Sequence, residues 1–207
     1  MLFKKIKYPA KTARVGVFVD VQNMFYSAKE YYDGKVDFEK VLEAAVRGRS
    51  LIAAIAYLVC VEDVDQSAFI SVLERLGFTI RTKYLKRRAD GSGRGDWDMG
   101  IAIDALLRAP KLDVIVLVSG DGDFVELVHA LKAQGVTVEV LSFPQNTAED
   151  LKRAADLYLP MDGDFIRKSQ KQEEHQEEFP PLPDSINWVK DSGIEEEEFT
   201  TDPASTV

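Results

Sequence analysis

Val114-Ile115-Val116-Leu117-Val118-Ser119-Gly120-Asp121-Gly122-Asp123-Phe124 is the stretch on which the reading of the chain turns. Five apolar residues, four of them β-branched, form a short continuous run that stops at a serine, two glycines and two aspartates. Phe124, Val125, Leu127, Val128 and Leu131 then recur at helical spacing. This pattern predicts a strand buried on both faces, a tight turn and a helix. Two carboxylates therefore lie where a central strand ends, the usual ligand crevice of an open α/β sheet. Crowded carboxylates resist ionisation unless a cation neutralises them, so the pair points to a divalent metal. The plainer use of Asp121 or Asp123 is a helix cap.

Outward from this stretch the same unit repeats. Val15–Val19 reads as a buried strand ended by Asp20, and Val21–Tyr31 as the helix after it, with Asn23 one turn below the aspartate. Asp33-Gly34 marks a turn, and Asp37 caps a helix from Phe38 to about Val46. Leu51–Val61 is a strand that contains the lone cysteine, Cys60, as a core residue. Glu62-Asp63-Val64-Asp65 leads into a helix over Gln66–Leu76 that Gly77 ends, and Phe78–Tyr84 alternates like a strand near an edge. Asp96-Trp97-Asp98 opens an apolar helix over Met99–Leu107, and Pro110 closes it. Asp98 and Asp104 are six residues apart, roughly 600° of helical rotation, so they do not share a face. Asp104 is expected to serve the structure by bonding a neighbouring loop. Gly135 ends the helix after Asp123, and Val136–Leu141 is the next strand. Thr147-Ala148-Glu149-Asp150 resembles a capping box before Leu151–Ala155, and Leu157–Leu159 is a last short strand. His129 sits about two turns into its helix, where an ordinary helix position is the better reading than a metal ligand.

Strands alternating with helices predict an α/β fold: a three-layer, Rossmann-like, mainly parallel sheet with helices on both faces. Its strand ends share one edge, so Asp20, Asp121 and Asp123 converge there if their strands are neighbours, and Asp96 and Asp98 can join from a helix start. An oxygen-only donor set without His or Cys selects Mg²⁺ or Mn²⁺ over zinc.

Lys86–Gly95 differs in kind. It holds Lys86, Arg87, Arg88 and Arg94 together with Gly91, Gly93 and Gly95, which reads as a mobile basic loop. Beside a metal site such a cluster suits a phosphodiester backbone, whereas alone it is a solvated loop. Tyr26 or Trp97 is available to stack a base, against core packing as the plainer use.

The chain has 207 residues and a net charge of −9. From Asp164 onward there are 12 acidic and 4 basic residues, which leaves 23 and 22 in the remainder. The acidity thus belongs to the tail, and the folded part is nearly neutral. Three segments follow: a basic lead-in over residues 1–13, one domain over 14–163 and a disordered acidic tail over 164–207. Sparse apolar residues in the tail suit docking on a protein partner or on the chain's own domain, as well as a merely solubilising role. No apolar run approaches the ~20 residues of a membrane span, and the expected location is cytoplasmic.

Three motifs taken together are similar to a known family. Phe18-Val19-Asp20-Val21-Gln22-Asn23, Arg94-Gly95-Asp96-Trp97-Asp98-Met99-Gly100-Ile101-Ala102-Ile103-Asp104 and Val118-Ser119-Gly120-Asp121-Gly122-Asp123-Phe124 resemble the NYN domain of the LabA-like branch, a relative of PIN-domain and flap nucleases. The resemblance spans about Arg14 to Asp162. It implies a PIN-like α/β fold and a metal-dependent ribonuclease site, with single-stranded RNA the expected substrate, an endoribonuclease the expected enzyme and exonuclease action left open. Asp20, Asp98, Asp121 and Asp123 match the acidic site, Asn23 and Ser119 support it, and Asp96 and Asp104 match positions of less defined role. Two departures are Val21, where the family often has Gly, and Arg94, where it often has Lys. Neither removes a carboxylate. The same branch is associated with regulation of gene expression, which leaves a non-catalytic RNA- or protein-binding module as the alternative, and a homodimer is compatible with either. A phosphomonoesterase would share the metal logic without needing the basic loop.

Overall fold

Two strands without a polar residue in their interiors form the centre of the sheet. In the computed structural model, which describes residues 11–60, 64–84, 86–87, 93–94 and 96–167, these are β1 (Arg14–Asp20) and β4 (Val114–Val118). They pair in parallel, with Val19 beside Val118. The other strands of the sheet are β2 (Ser50–Cys60), β3 (Thr79–Tyr84), β5 (Thr137–Ser142) and β6 (Leu157–Pro160). All six run parallel in the order 3-2-1-4-5-6. The chain builds outward from β1 to one edge, crosses over and builds from β4 to the other. The reversal falls between β1 and β4, the crevice where doubly wound sheets bind ligands.

Helices cover both faces. On one lie α1 (Val21–Tyr32), α2 (Phe38–Val46) and α3 (Ser67–Arg75); on the other lie α4 (Asp98–Arg108), α5 (Val125–Ala133) and α6 (Glu149–Ala154). Alternation along the strands feeds both layers. Val114, Val116 and Val118 join the first core, while Ile115 and Leu117 join the second. Each fully buried Val, Ile or Leu contributes about 1.5–3 kcal/mol relative to exposure, so β4 is held from both sides. Asp37 caps α2 by accepting from the amides of Glu39 and Lys40, and β3 is an edge strand with five of its six residues exposed. Cys60 is buried.

One buried ion pair bridges sheet and helix. Glu139 on β5 accepts two bonds of 2.8 Å from Arg49, and Arg47 adds another. Arg49 also donates to the carbonyls of Ala45 and Val46 at the end of α2. The pairing answers the desolvation of a carboxylate that is 1% exposed.

Four local expectations are corrected. The folded part does not stop at residue 163: Gly163–Phe165 forms a short turn whose Phe165 carbonyl accepts from the Asp37 amide, Ile166–Arg167 pairs antiparallel with Lys35–Val36, and Phe165 and Ile166 pack against the core. The basic segment is not simply a loop, because Lys86–Arg87 and Gly93–Arg94 pair as a short antiparallel ladder. Thr147 does not form a capping box: α6 has Ala148 as its N-cap without a side-chain bond, and the Thr147 hydroxyl donates to the Phe143 carbonyl. The partner of Asp104 is a strand residue, Tyr57, and not a loop. The lead-in up to residue 10, Glu62 and Asp63, Arg88 and the tail from residue 168 lie outside the described residues. Among the described residues no helix is long and apolar enough to cross a membrane.

Candidate metal centre

Asp20 ends β1 in an extended conformation, which turns its carboxylate onto the start of α1. Its Oδ1 accepts from the Asn23 amide at 3.1 Å, and its Oδ2 accepts from the Ser119 hydroxyl at 3.3 Å. The Ser119 oxygen in turn accepts from the Asp121 amide at 3.2 Å. Asn23 completes the link from α1 to the turn after β4, its Oδ1 accepting from the Gly120 amide at 2.9 Å. Asp121 then caps the short turn Gly122–Phe124 through the Asp123 amide at 3.0 Å. Capping and a role in the site are therefore compatible, since each cap bond occupies one oxygen of its carboxylate.

Gly120 makes this turn possible. A Cβ there would lie 2.1 Å from the Asn146 carbonyl oxygen. The backbone cannot swing away, because the Gly120 carbonyl accepts from the Ala148 amide at 2.9 Å while its own amide is held by Asn23.

Asp98, Asp121 and Asp123 come together across this frame, each offering a carboxylate oxygen within 4.8 Å of the others. Asp98 and Asp121 are half-buried and Asp123 is exposed. Asp20 is buried behind them. The crowding has an electrostatic signature. Burial, then the negative charges of Asp20, Asp121, Asp96 and Asp123, push the Asp98 carboxyl up to about 7. Burial pushes Asp20 up to about 6, its bond from the Asn23 amide opposing the shift and the charge of Asp121 adding to it. A divalent cation relieves this repulsion, and the oxygen-only donors suit one.

A separate set of contacts fixes the start of α4, and with it Asp98. Trp97 Nε1 donates to the Leu58 carbonyl at 2.7 Å, and its ring packs 5.4 Å from that of Tyr57. Lys83 Nζ lies 4.8 Å from the Trp97 ring and donates to the Asp96 carbonyl at 2.6 Å. Trp97 is thus a packing residue in this structure. Tyr26 stacks edge-on against Phe25. Asp104 lies elsewhere on α4, accepting from the Tyr57 hydroxyl at 2.9 Å and pairing with Arg81 and Arg108. Asp96 is exposed and reaches the cluster through its charge on Asp98. The ladder of Lys86, Arg87 and Arg94 precedes Asp96 in the chain. A groove of about 640 Å³ runs from Asp123 between α5 and α6, with His129 and Arg153 in its walls. Sequence reasoning missed Tyr57 and the anchoring contacts of Lys83; it placed Gly120 in the tight turn without its approach to the Asn146 carbonyl.

Fold and site together define a class. The NYN domain family's sequence profile matches residues 14–162, and the chain belongs to this family, part of the PIN-like nuclease superfamily. It is 32% identical over 173 residues to the low amplitude and bright protein LabA of Synechococcus elongatus, covering 79% of this chain and 92% of LabA. The crystal structure of a Vibrio parahaemolyticus protein of unknown function is also similar, with 34% identity and a TM-score of 0.71 over 77% of this chain and 99% of that one.

Proposed function

We propose that the chain is a cytoplasmic, divalent-metal-dependent endoribonuclease that hydrolyses phosphodiester bonds of single-stranded RNA, with Mg²⁺ or Mn²⁺ held by Asp98, Asp121 and Asp123 and bordered by Asp20. The observation that carries the reading is the meeting of three carboxylates at the reversal point of the sheet. When bound, the cation supplies charge neutralisation at the phosphate and acidifies water for attack. The protein's own work is positional. Asn23 and Ser119 orient Asp20 and the turn after β4, and the contacts of Trp97 and Lys83 hold Asp98 in place. Lys86, Arg87, Arg88 and Arg94 bind the RNA backbone, which contributes affinity and salt dependence without base specificity. The acidic tail beyond residue 167 competes with RNA for these cations or docks on a protein partner.

Cleavage of labelled single-stranded RNA with Mn²⁺, Mg²⁺ or EDTA tests the proposal. Metal-dependent cutting is expected from the parent, with loss in Asp20→Asn plus Asp121→Asn. A chain ending at Arg167, which keeps the pairing of Ile166–Arg167 with Lys35–Val36, should cut faster if the tail competes. RNA binding without cutting by either chain contradicts the enzyme and favours the regulatory module. Hydrolysis confined to phosphomonoesters contradicts the RNA substrate.

A further inference from the structure

The outer face of α4 is bare. Met99, Ile103 and Leu107 follow at four-residue spacing and are 70%, 50% and 70% exposed, while Ile101 and Ala105 on the opposite side are buried. Ala102 and Leu106 are only partly buried and widen the strip. Of the seven large apolar side chains exposed among the described residues, three stand in this one strip. Clustering of this kind marks an interaction surface, where scattered exposure would mean little.

We propose that this strip joins two copies of the chain through antiparallel α4 helices, about a two-fold axis beside Ile103. The spacing is self-complementary. An axis at Ile103 sets Met99 opposite the partner's Leu107 and Leu107 opposite the partner's Met99, as an isologous contact requires. The charges match in the same arrangement. Asp96, exposed, precedes α4 at the end that holds the carboxylates, and Lys111, exposed, follows it at the other end, whereas Arg108 is paired with Asp104 on its own helix. Antiparallel pairing lays each acidic end beside a basic end and opposes the helix dipoles; parallel pairing would bring two carboxylate clusters together. The strip and its flanks bury on the order of 1,000 Å² in total, the low end for a specific interface, so the dimer is a weak one. The pairing does not rest on the nuclease reading.

Sedimentation velocity of the full chain over a wide concentration range tests it. The parent is expected to approach the mass of two chains as concentration rises. Ile103→Glu and Ile103→Lys each place like charges across the axis and should weaken the dimer by about tenfold or more. Mixing the two variants should restore dimers, which a folding defect in either could not do. A single-chain mass at every concentration overturns the proposal, as does a dimer that survives both substitutions.

Discussion

Asp98→Asn is expected to cripple metal-dependent RNA cleavage and yet raise the melting temperature of the metal-free protein at pH 8. Asp98 is pushed up to about 7 and Asp20 up to about 6, against an ordinary value of 3.8. In both cases folding favours the protonated form. The stability these groups contribute is therefore present below about pH 4 and is lost as the pH rises through about 6 and about 7. Asparagine cannot ionise, so the variant escapes part of this loss. Asp98 is half-buried, and after allowance for solvent screening the gain is on the order of 1 kcal/mol, or a few degrees in Tm. Near pH 5 the difference should be well below that at pH 8, and it should vanish below about pH 4. Mn²⁺ at a hundredfold excess over its Kd should add about 2.7 kcal/mol to the parent, and far less to the variant. Loss of one carboxylate from the cluster should lower cleavage by roughly 10²–10³-fold. Thermal melts at pH 5 and pH 8, with EDTA or Mn²⁺, check the stability half. A variant that melts below the parent at pH 8 in EDTA would contradict the repulsion on which the site is argued.

Gly120→Ala should be the most damaging single methyl group in the domain. Its Cβ meets the Asn146 carbonyl oxygen at 2.1 Å, the carbonyl carbon at 2.9 Å and Thr147 Cα at 3.1 Å, all backbone atoms. Overpacking against flexible side chains costs about 1–3 kcal/mol, and here no side chain can yield, so about 3 kcal/mol or more is expected. The turn that carries Asp121 and Asp123 must shift, and Mn²⁺ binding should weaken with it. Gly163→Ala is the control, because a Cβ there meets nothing within 4 Å. Urea unfolding of the two variants compares them directly. Equal midpoints would mean that the turn is looser than its hydrogen bonds indicate.

The central strands were legible because continuous β-branched runs ended by aspartate admit few other readings. Placing β1 beside β4 needed the sheet itself, yet Asp20 and Asp121 had to meet once those strands were neighbours. What stayed hidden depends on contacts that the local pattern of residue types does not carry. Asp104 meets Tyr57 from 47 residues away, so helical spacing exposed its separation from Asp98 without revealing its partner. Thr147 has the right neighbours for a capping box, but tertiary packing directs its hydroxyl to Phe143 and Ser142. The glycines around Arg94 read as a loop because they carry no alternating pattern, although the backbone there pairs as a ladder. Glu139 lies between two valines like a half-exposed strand residue, and only Arg49 from another element explains its burial.

If Asp98, Asp121 and Asp123 hold one divalent cation, as proposed, a Mn²⁺ titration followed by electron paramagnetic resonance will detect it. At pH 6.5 the parent should bind Mn²⁺ and release protons as its raised carboxyls ionise. Asp98→Asn plus Asp121→Asn should leave the Mn²⁺ signal that of the free ion. Equal binding by the parent and the double variant would place the ion elsewhere and contradict the account.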